Sequence, residues 1–312
     1  MIYLTEEDVQ SLVTMEDSIA ALETAFGQWD DPSRGNLPRR RLDLPVKYFN
    51  LMAAAIPGSD IFGYRGYTSA IPFNLLVLLS LKREEPIALI ECRWLSRTRT
   101  GAASGLATKY LAREDAKVMA LIGTGRIAPD QVRAVAAVRD LQELRVFSRN
   151  ADKRNQFAQE LAQEFDFEIV AAETPESCVG GADIITTATN SKDPVFLGEW
   201  LRPGVHINGA GANNGIRREF DEAAVLAADL VVVDDLEQAH IEAGILMDLA
   251  EQDKLPWKNV IELGDIVSKT CSKRTSGDQI TFFHSLGLAF EDVAFGSLIY
   301  DKAIEAGIGR EV

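Results

Sequence analysis

The sequence predicts an α/β protein, a doubly wound parallel sheet accompanied by a second, α+β domain that carries an antiparallel sheet. Three observations predict it. From Lys117 onward, short runs rich in Val, Ile and Leu alternate with stretches of helical periodicity, the order that lays helices over both faces of a parallel sheet. Lys117 to Asp130, KVMALIGTGRIAPD, joins an apolar run to a helical one through the spacing GxGxxA. Arg39 to Cys92 reads instead as successive strands separated by turns, which pair antiparallel.

Taken in order, Thr14 to Trp29 is an amphipathic helix with Ile19, Leu22, Ala25 and Phe26 on one face and Thr14 with Asp17 as a capping box. Asp30 to Pro38 is a loop. Strands follow at Arg41 to Val46, Phe49 to Ala55, Tyr64 to Ala70, Phe73 to Leu81 and Ile87 to Cys92, with Lys82 to Pro86 turning a hairpin. Ser96 to Arg113 is helical and delivers the chain to a strand at Val118 to Ile122. Beyond it come strands at Leu144 to Phe147, Glu168 to Ala171, Asp183 to Thr187, Val205 to Asn208 and Leu230 to Val233. Helices are expected at Asp152 to Phe165, from Thr174 and Pro175, and at Arg218 to Ala227. Gln279 to Ala306 reads as one long helix stopped by Gly307, and its Leu286, Phe290, Val293, Leu298 and Ile299 need a partner surface on the first domain.

The glycine segment carries a physical expectation. Gly123 permits a sharp turn, Gly125 removes the side chain that would hold a pyrophosphate away, and Ala128 lets helix and strand approach. Pro129 suits the first helical turn, whose free N–H groups face an anion. Gly123, Thr124, Gly125, Arg126 and Ile127 are therefore candidates for a dinucleotide site. After the second strand come Ser148 and Arg149 with no acid until Asp152, a pattern that favours the 2′-phosphate of NADP(H) over the ribose of NAD(H). Thr187, Ala188 and Thr189 fall where the nicotinamide ribose belongs.

Composition narrows the rest. A net charge of −15 disfavours nucleic acid and anionic membrane as partners, and the longest apolar run, Leu75 to Leu79 with Leu81 beyond Ser80, is too short to cross a bilayer. The acidic first ten residues are unlike a signal peptide, so a cytoplasmic protein is expected. Cys92, Cys178 and Cys271 are too scattered for a disulfide framework and read as buried thiols. His206, His240 and His284 lack ligand spacing, so no metal is expected.

Several stretches together resemble the ornithine cyclodeaminase and mu-crystallin family: RTGAASGLATKYLAR (Arg99 to Arg113), LIGTGRIA (Leu121 to Ala128), INGAG with RREFD (Ile207 to Asp221), VVVDDLEQAHIEAG (Val231 to Gly244), ELGDIV (Glu262 to Val267) and GDQITFFHSLGLAFEDVA (Gly277 to Ala294). The resemblance implies a Rossmann domain, residues 116–284, inserted into a substrate-binding and dimerising domain of residues 1–115 plus 285–312. It also implies a homodimer, and chemistry on the C=N bond of an imino acid with NAD(H) or NADP(H).

Such a substrate presents a carboxylate, which a guanidinium fork grips best. Arg99, at the family's RT motif, is the first choice, and Thr100 beside it joins the cofactor candidates. Arg41 best fits a second family arginine upstream of the strand at Met52, with Arg39 and Arg40 adjoining. Arg65 stands where the family has a lysine. Arginine binds and polarises but does not release a proton, so Arg65 becomes an anchor and Tyr67, two residues on, a candidate donor whose commoner role is packing. Asn213 stands where cyclodeaminases carry an aspartate, and an amide cannot act as a general base. His284 replaces a residue that is often lysine, and no role is assigned to it. With both proton-handling groups replaced, reduction of an imino acid, or the related amino-acid dehydrogenation, is the chemistry expected. Ornithine cyclodeamination and a non-catalytic, NADP-bound binding protein are the alternatives.

Overall fold

In the computed structural model, residues 1–45, 47–271 and 274–312 are described. The elements run β1 (Ile2–Leu4), α1 (Glu6–Leu12), α2 (Met15–Phe26), β2 (Gly35–Asp43), β3 (Tyr48–Ala55), β4 (Ile61–Thr68), β5 (Phe73–Ser80), β6 (Glu85–Glu91) and α3 (Arg93–Leu111). They continue with β7 (Val118–Ile122), α4 (Ala128–Ala136), β8 (Glu143–Phe147), α5 (Ala151–Leu161), β9 (Glu168–Ala171), α6 (Pro175–Val179), β10 (Ile184–Thr187), β11 (His206–Gly209), α7 (Glu222–Leu226) and β12 (Leu230–Val233). The last are α8 (Leu236–Glu242), α9 (Gly244–Glu251), β13 (Val260–Glu262), α10 (Leu263–Val267), β14 (Thr281–His284), α11 (Ala289–Ala306) and β15 (Arg310–Glu311).

The chain divides into two compact units, one of residues 1–99 with 287–312 and one of residues 100–286. The division passes through α3, so residues 100–115 fall with the second unit.

The first unit holds a seven-stranded sheet in the order β15-β1-β6-β5-β4-β3-β2, antiparallel except where β1 lies parallel to β6. Capping boxes start both short helices, Thr5 with Asp8 for α1 and Thr14 with Asp17 for α2. One face of the sheet is covered by α11, whose Phe290 packs tilted against Phe26 and edge-on against Trp29. The expected loop to Pro38 ends earlier, because Gly35 to Leu37 already pair with β3. Between Leu37 and Arg40 the register shifts, and this bulge turns Pro38 and Arg39 inward together where strict alternation would bury only one of them. Val46, the end of the strand expected from Arg41, lies outside the described residues.

The second unit holds an eight-stranded, wholly parallel sheet ordered β13-β12-β14-β11-β10-β7-β8-β9. The predicted tail helix proves to be two elements. Thr281 to His284 form β14 in the middle of this sheet, all four buried, and the helix begins only at Ala289. A buried strand and a buried helix show the same apolar run, so periodicity alone merged them. Gly307, at φ 67, ends α11. The helix expected at Arg218 shrinks to α7, capped by Asp221. Cys92 and Cys178 are buried, but Cys271 is exposed in the turn after α10, where its backbone N–H donates to the Asp265 carbonyl.

Candidate functional site

In the first unit, charge is concentrated where apolar packing would be expected. Arg65 on β4 and Arg99 on α3 are 5% and 3% exposed, and both reach Asp292 in the first turn of α11. Arg99 donates through Nε to Asp292 Oδ1 at 2.7 Å and through Nη1 to Glu291 Oε2 at 2.6 Å. Arg65 donates through Nη1 to Asp292 at 3.1 and 3.3 Å and through Nε to Asn74 Oδ1 at 2.9 Å. Buried charges persist only when paired in this way. After these bonds, Nη2 of each arginine donates to nothing among the described residues, so two N–H pairs are left over for an anion.

The same cluster explains Gly287, whose φ is +80. A Cβ there would lie 2.6 Å from Arg99 Nη1. Its carbonyl accepts from Arg39 Nη2 at 2.8 Å. Burial and the adjacent Asp292 push the Glu291 carboxyl well above the usual range, against the pull of Arg99, and its Oε1 is enclosed without a hydrogen-bond partner among the described residues. Arg41 does not join this cluster. It is exposed on β2, and the bulge brings Arg39 in instead. The Tyr67 ring lies under the Arg65 guanidinium at 4.4 Å, a cation–π packing role, and its hydroxyl has no hydrogen bond among the described residues.

In the second unit, the strand order reverses between β8 and β10, on either side of β7, and the crevice outside that point is where parallel sheets hold ligands. Gly123 sits there with φ +110, and a Cβ would lie 2.5 Å from the Ala188 carbonyl oxygen. Its N–H donates to the Phe147 carbonyl at 2.8 Å. Gly125 is exposed, and a Cβ on it would meet nothing closer than that same oxygen at 3.8 Å. That open space is the room a diphosphate needs against bare backbone. Thr124 and Ile127 are half-buried and Arg126 exposed around it. No side chain caps α4 among the described residues; its Ala128 N–H donates to the Gly125 carbonyl at 3.0 Å and Pro129 has none to donate, so what the helix start offers an anion is its dipole. Behind them Gly101 and Asp130 are in backbone contact, since a Cβ on Gly101 would lie 2.4 Å from the Asp130 carbonyl, and Gln131 Nε2 donates to the Thr100 carbonyl at 3.2 Å.

At the end of β8, Ser148 Oγ donates to the Asn150 carbonyl and Asn150 caps α5. Arg149 is exposed and makes no hydrogen bond among the described residues. Thr187 and Ala188 are buried at the end of β10, with Thr189 half-buried beyond them. Asn213, after β11, accepts from Arg217 Nη1 at 3.3 Å.

Sequence reasoning missed Asp292, Glu291 and Glu219. Glu219 is fully buried and accepts from Thr189 N–H and Oγ1 at 2.7 and 2.8 Å, and from the Gly211 and Ala212 N–H groups at 2.8 and 3.0 Å. Burial raises its carboxyl more than these bonds lower it. Acidic residues in a helix's first turn usually complement its dipole, so the sequence alone offered no reason to read Glu291 and Asp292 otherwise.

Comparison with known proteins identifies the chain's relatives. Residues 1–307 match the description "Ornithine cyclodeaminase/mu-crystallin family". The Delta(1)-pyrroline-2-carboxylate reductase of Bacillus cereus is 33% identical over 325 aligned positions, covering 100% of this chain and 99% of that protein. The alanine dehydrogenase of Archaeoglobus fulgidus is 30% identical, covering 99% and 97%. Among solved structures, the Thermococcus litoralis Delta(1)-pyrroline-2-carboxylate reductase with NADH and L-proline matches with a TM-score of 0.93 at 31% identity, all of both chains being covered. A dimeric archaeal alanine dehydrogenase with bound NAD matches with a TM-score of 0.90 at 28% identity, over 100% of this chain and 98% of that one.

Proposed function

The chain belongs to the ornithine cyclodeaminase/mu-crystallin family, and from that premise we propose that it is an NAD(P)H-dependent reductase of imino acids, ketimine or cyclic imine carboxylates, running amino-acid dehydrogenation in reverse. One observation carries the reading: Arg65 and Arg99 are held rigid by a shared Asp292, and each keeps an unspent Nη2. Paired guanidinium groups with spare N–H donors suit one carboxylate. The open backbone at Gly125 and the uncapped start of α4 fit a diphosphate. When bound, the reduced nicotinamide supplies the hydride.

The chain's own groups then bind and orient. Arg65 and Arg99 cannot release a proton, and Asn213 cannot take one. An imine that arrives protonated needs neither. Cyclodeamination needs both, so it ranks behind reduction. Assays of NADPH and NADH oxidation with Δ1-pyrroline-2-carboxylate and other cyclic imines test the proposal. Turnover supports it, whereas tight cofactor binding with no turnover on any imino acid selects a binding protein instead.

We also favour NADP(H), on the unengaged Arg149 beside Ser148. Arg149→Asp should then lower the NADPH:NADH ratio of kcat/KM by about tenfold, the worth of one charge-assisted phosphate contact. An unchanged ratio removes Arg149 from the site. A homodimer through the first unit's sheet is proposed because Leu37, Leu51 and Tyr64 stand exposed on the face opposite α11. Light scattering on Leu51→Glu checks it. Three free cysteines, one exposed, suit a reducing, cytoplasmic setting.

A further inference from the structure

We propose that Glu219 and His284 are positioning residues that grip Ala212 through the two peptide groups that flank it, and so fix the Asn213 loop and the Thr187–Thr189 loop as one wall of the hydride-transfer site. The inference rests on the reductase reading for its last clause and on geometry for the rest.

The Ala212 N–H donates to Glu219 Oε2 at 3.0 Å, and the Ala212 carbonyl lies 2.8 Å from His284 Nε2. A carbonyl only accepts, so Nε2 must carry the proton. Nδ1 is then an unprotonated acceptor, and it is enclosed with no donor among the described residues. The ring is 1% exposed and packs edge-on against Phe220 at 5.4 Å. Burial lowers its pKa to about 4, so it stays in the donating, neutral form at working pH.

Glu219 extends the grip to the neighbouring strand. Its Oε1 takes the N–H and hydroxyl of Thr189, and its Oε2 takes the N–H groups of Gly211 and Ala212. All four donors are neutral, so this carboxylate is spent on backbone geometry and not on a counter-charge. The two loops touch closely enough that a Cβ on Gly211 would lie 2.1 Å from the Thr189 carbonyl. Asn213 follows directly, tied to Arg217, which also donates to the Gly211 carbonyl at 3.1 Å. Hydride transfer depends steeply on donor–acceptor placement, so a wall held at two successive peptide groups governs the chemical step more than substrate binding.

Glu219→Gln keeps one oxygen and turns an NH2 group against two N–H donors, releasing one loop. His284→Leu removes the carbonyl's donor, while His284→Gln keeps an amide donor near Nε2. With NADPH and Δ1-pyrroline-2-carboxylate, Glu219→Gln and His284→Leu should lower kcat about tenfold or more while the KM for the imine changes less than about threefold. His284→Gln should recover most of the loss. Unchanged kcat in both folded variants, or kcat and KM moving in proportion, overturns the proposal. Hydrogen exchange separates its failure from that of the reductase reading. The Thr189, Gly211 and Ala212 amides should lose protection in Glu219→Gln whether or not the imine turns over, and retained protection there overturns the grip itself. If Glu219→Gln does not fold, Thr189→Val removes a single donor and should show the same kcat loss in smaller measure, its absence counting against the proposal.

Discussion

The two halves of the proposed chemistry are built from opposite materials. In the second unit the cradle is backbone: a glycine at φ +110, a glycine with open space over it, and the positive end of a helix. In the first unit the anchor is side chain, two buried arginines held by two carboxylates of α11. A backbone site fails when a Cβ is added. A side-chain site fails when a charge loses its partner. The difference teaches which substitutions unfold a unit and which only empty a site.

The largest effect should come from Arg99→Ala. It leaves Glu291 and Asp292, both fully buried, without their shared partner, and breaking such a pair costs about 3–5 kcal/mol. Chemical denaturation should show this loss in the first unit, and adding Glu291→Gln should recover part of it. Stability within about 1 kcal/mol of wild type would mean the cluster is not a mutually supporting network. Arg99→Lys sharpens the test, since it keeps the charge and loses the fork. It should raise the imine KM at least tenfold with cofactor binding near normal.

Gly123→Ala comes next. Its Cβ would drive against the Ala188 carbonyl in a conformation L-residues avoid, worth about 1–3 kcal/mol of strain. Fluorescence titration should show weakened NADPH binding with the first unit's stability unchanged. Normal NADPH affinity would place the dinucleotide elsewhere.

This contrast also decides what could be read from the sequence. GxGxxA announces a backbone cradle because the residues that build it are consecutive, and Thr187 to Thr189 follow from strand counting. The arginine cluster joins β4, α3 and α11 across 227 positions between Arg65 and Asp292, and nothing local marks such a pairing. Arg41 was preferred to Arg39 by spacing, but a bulge between Leu37 and Arg40 decides which arginine turns inward, and bulges leave little trace in a run of three arginines. Glu219 lies within RREFD with nothing local to mark its role, because three of its four donors are backbone N–H groups that every residue owns. β14 escaped notice because four buried residues ahead of a buried helix share its apolar character.

The smallest effect separates the two units by sign. Between pH 5 and 6.5, His206 and His284 of the second unit stay neutral in the fold, burial having lowered them to about 3 and about 4. The unfolded chain protonates both below about 6.5, so their contribution is complete above that pH and drains away as pH falls, by at most about 1.4 kcal/mol per unit for each. Glu219, raised by burial, opposes at most one of them, so a net loss on acidification remains. In the first unit the raised Glu291 and Asp301 act the other way: the fold keeps protons that the unfolded chain gives up above its ordinary carboxyl range, so stability falls as pH rises. Segment-resolved hydrogen exchange, corrected for intrinsic rates, should therefore show β11 and β14 loosening from pH 6.5 to 5 while β4 and α11 tighten. Glu291→Gln should weaken the second trend and leave the first intact. Both units moving in one direction would show that the buried carboxyl of α11 stays ionised, and that Arg99 holds it more firmly than its burial opposes.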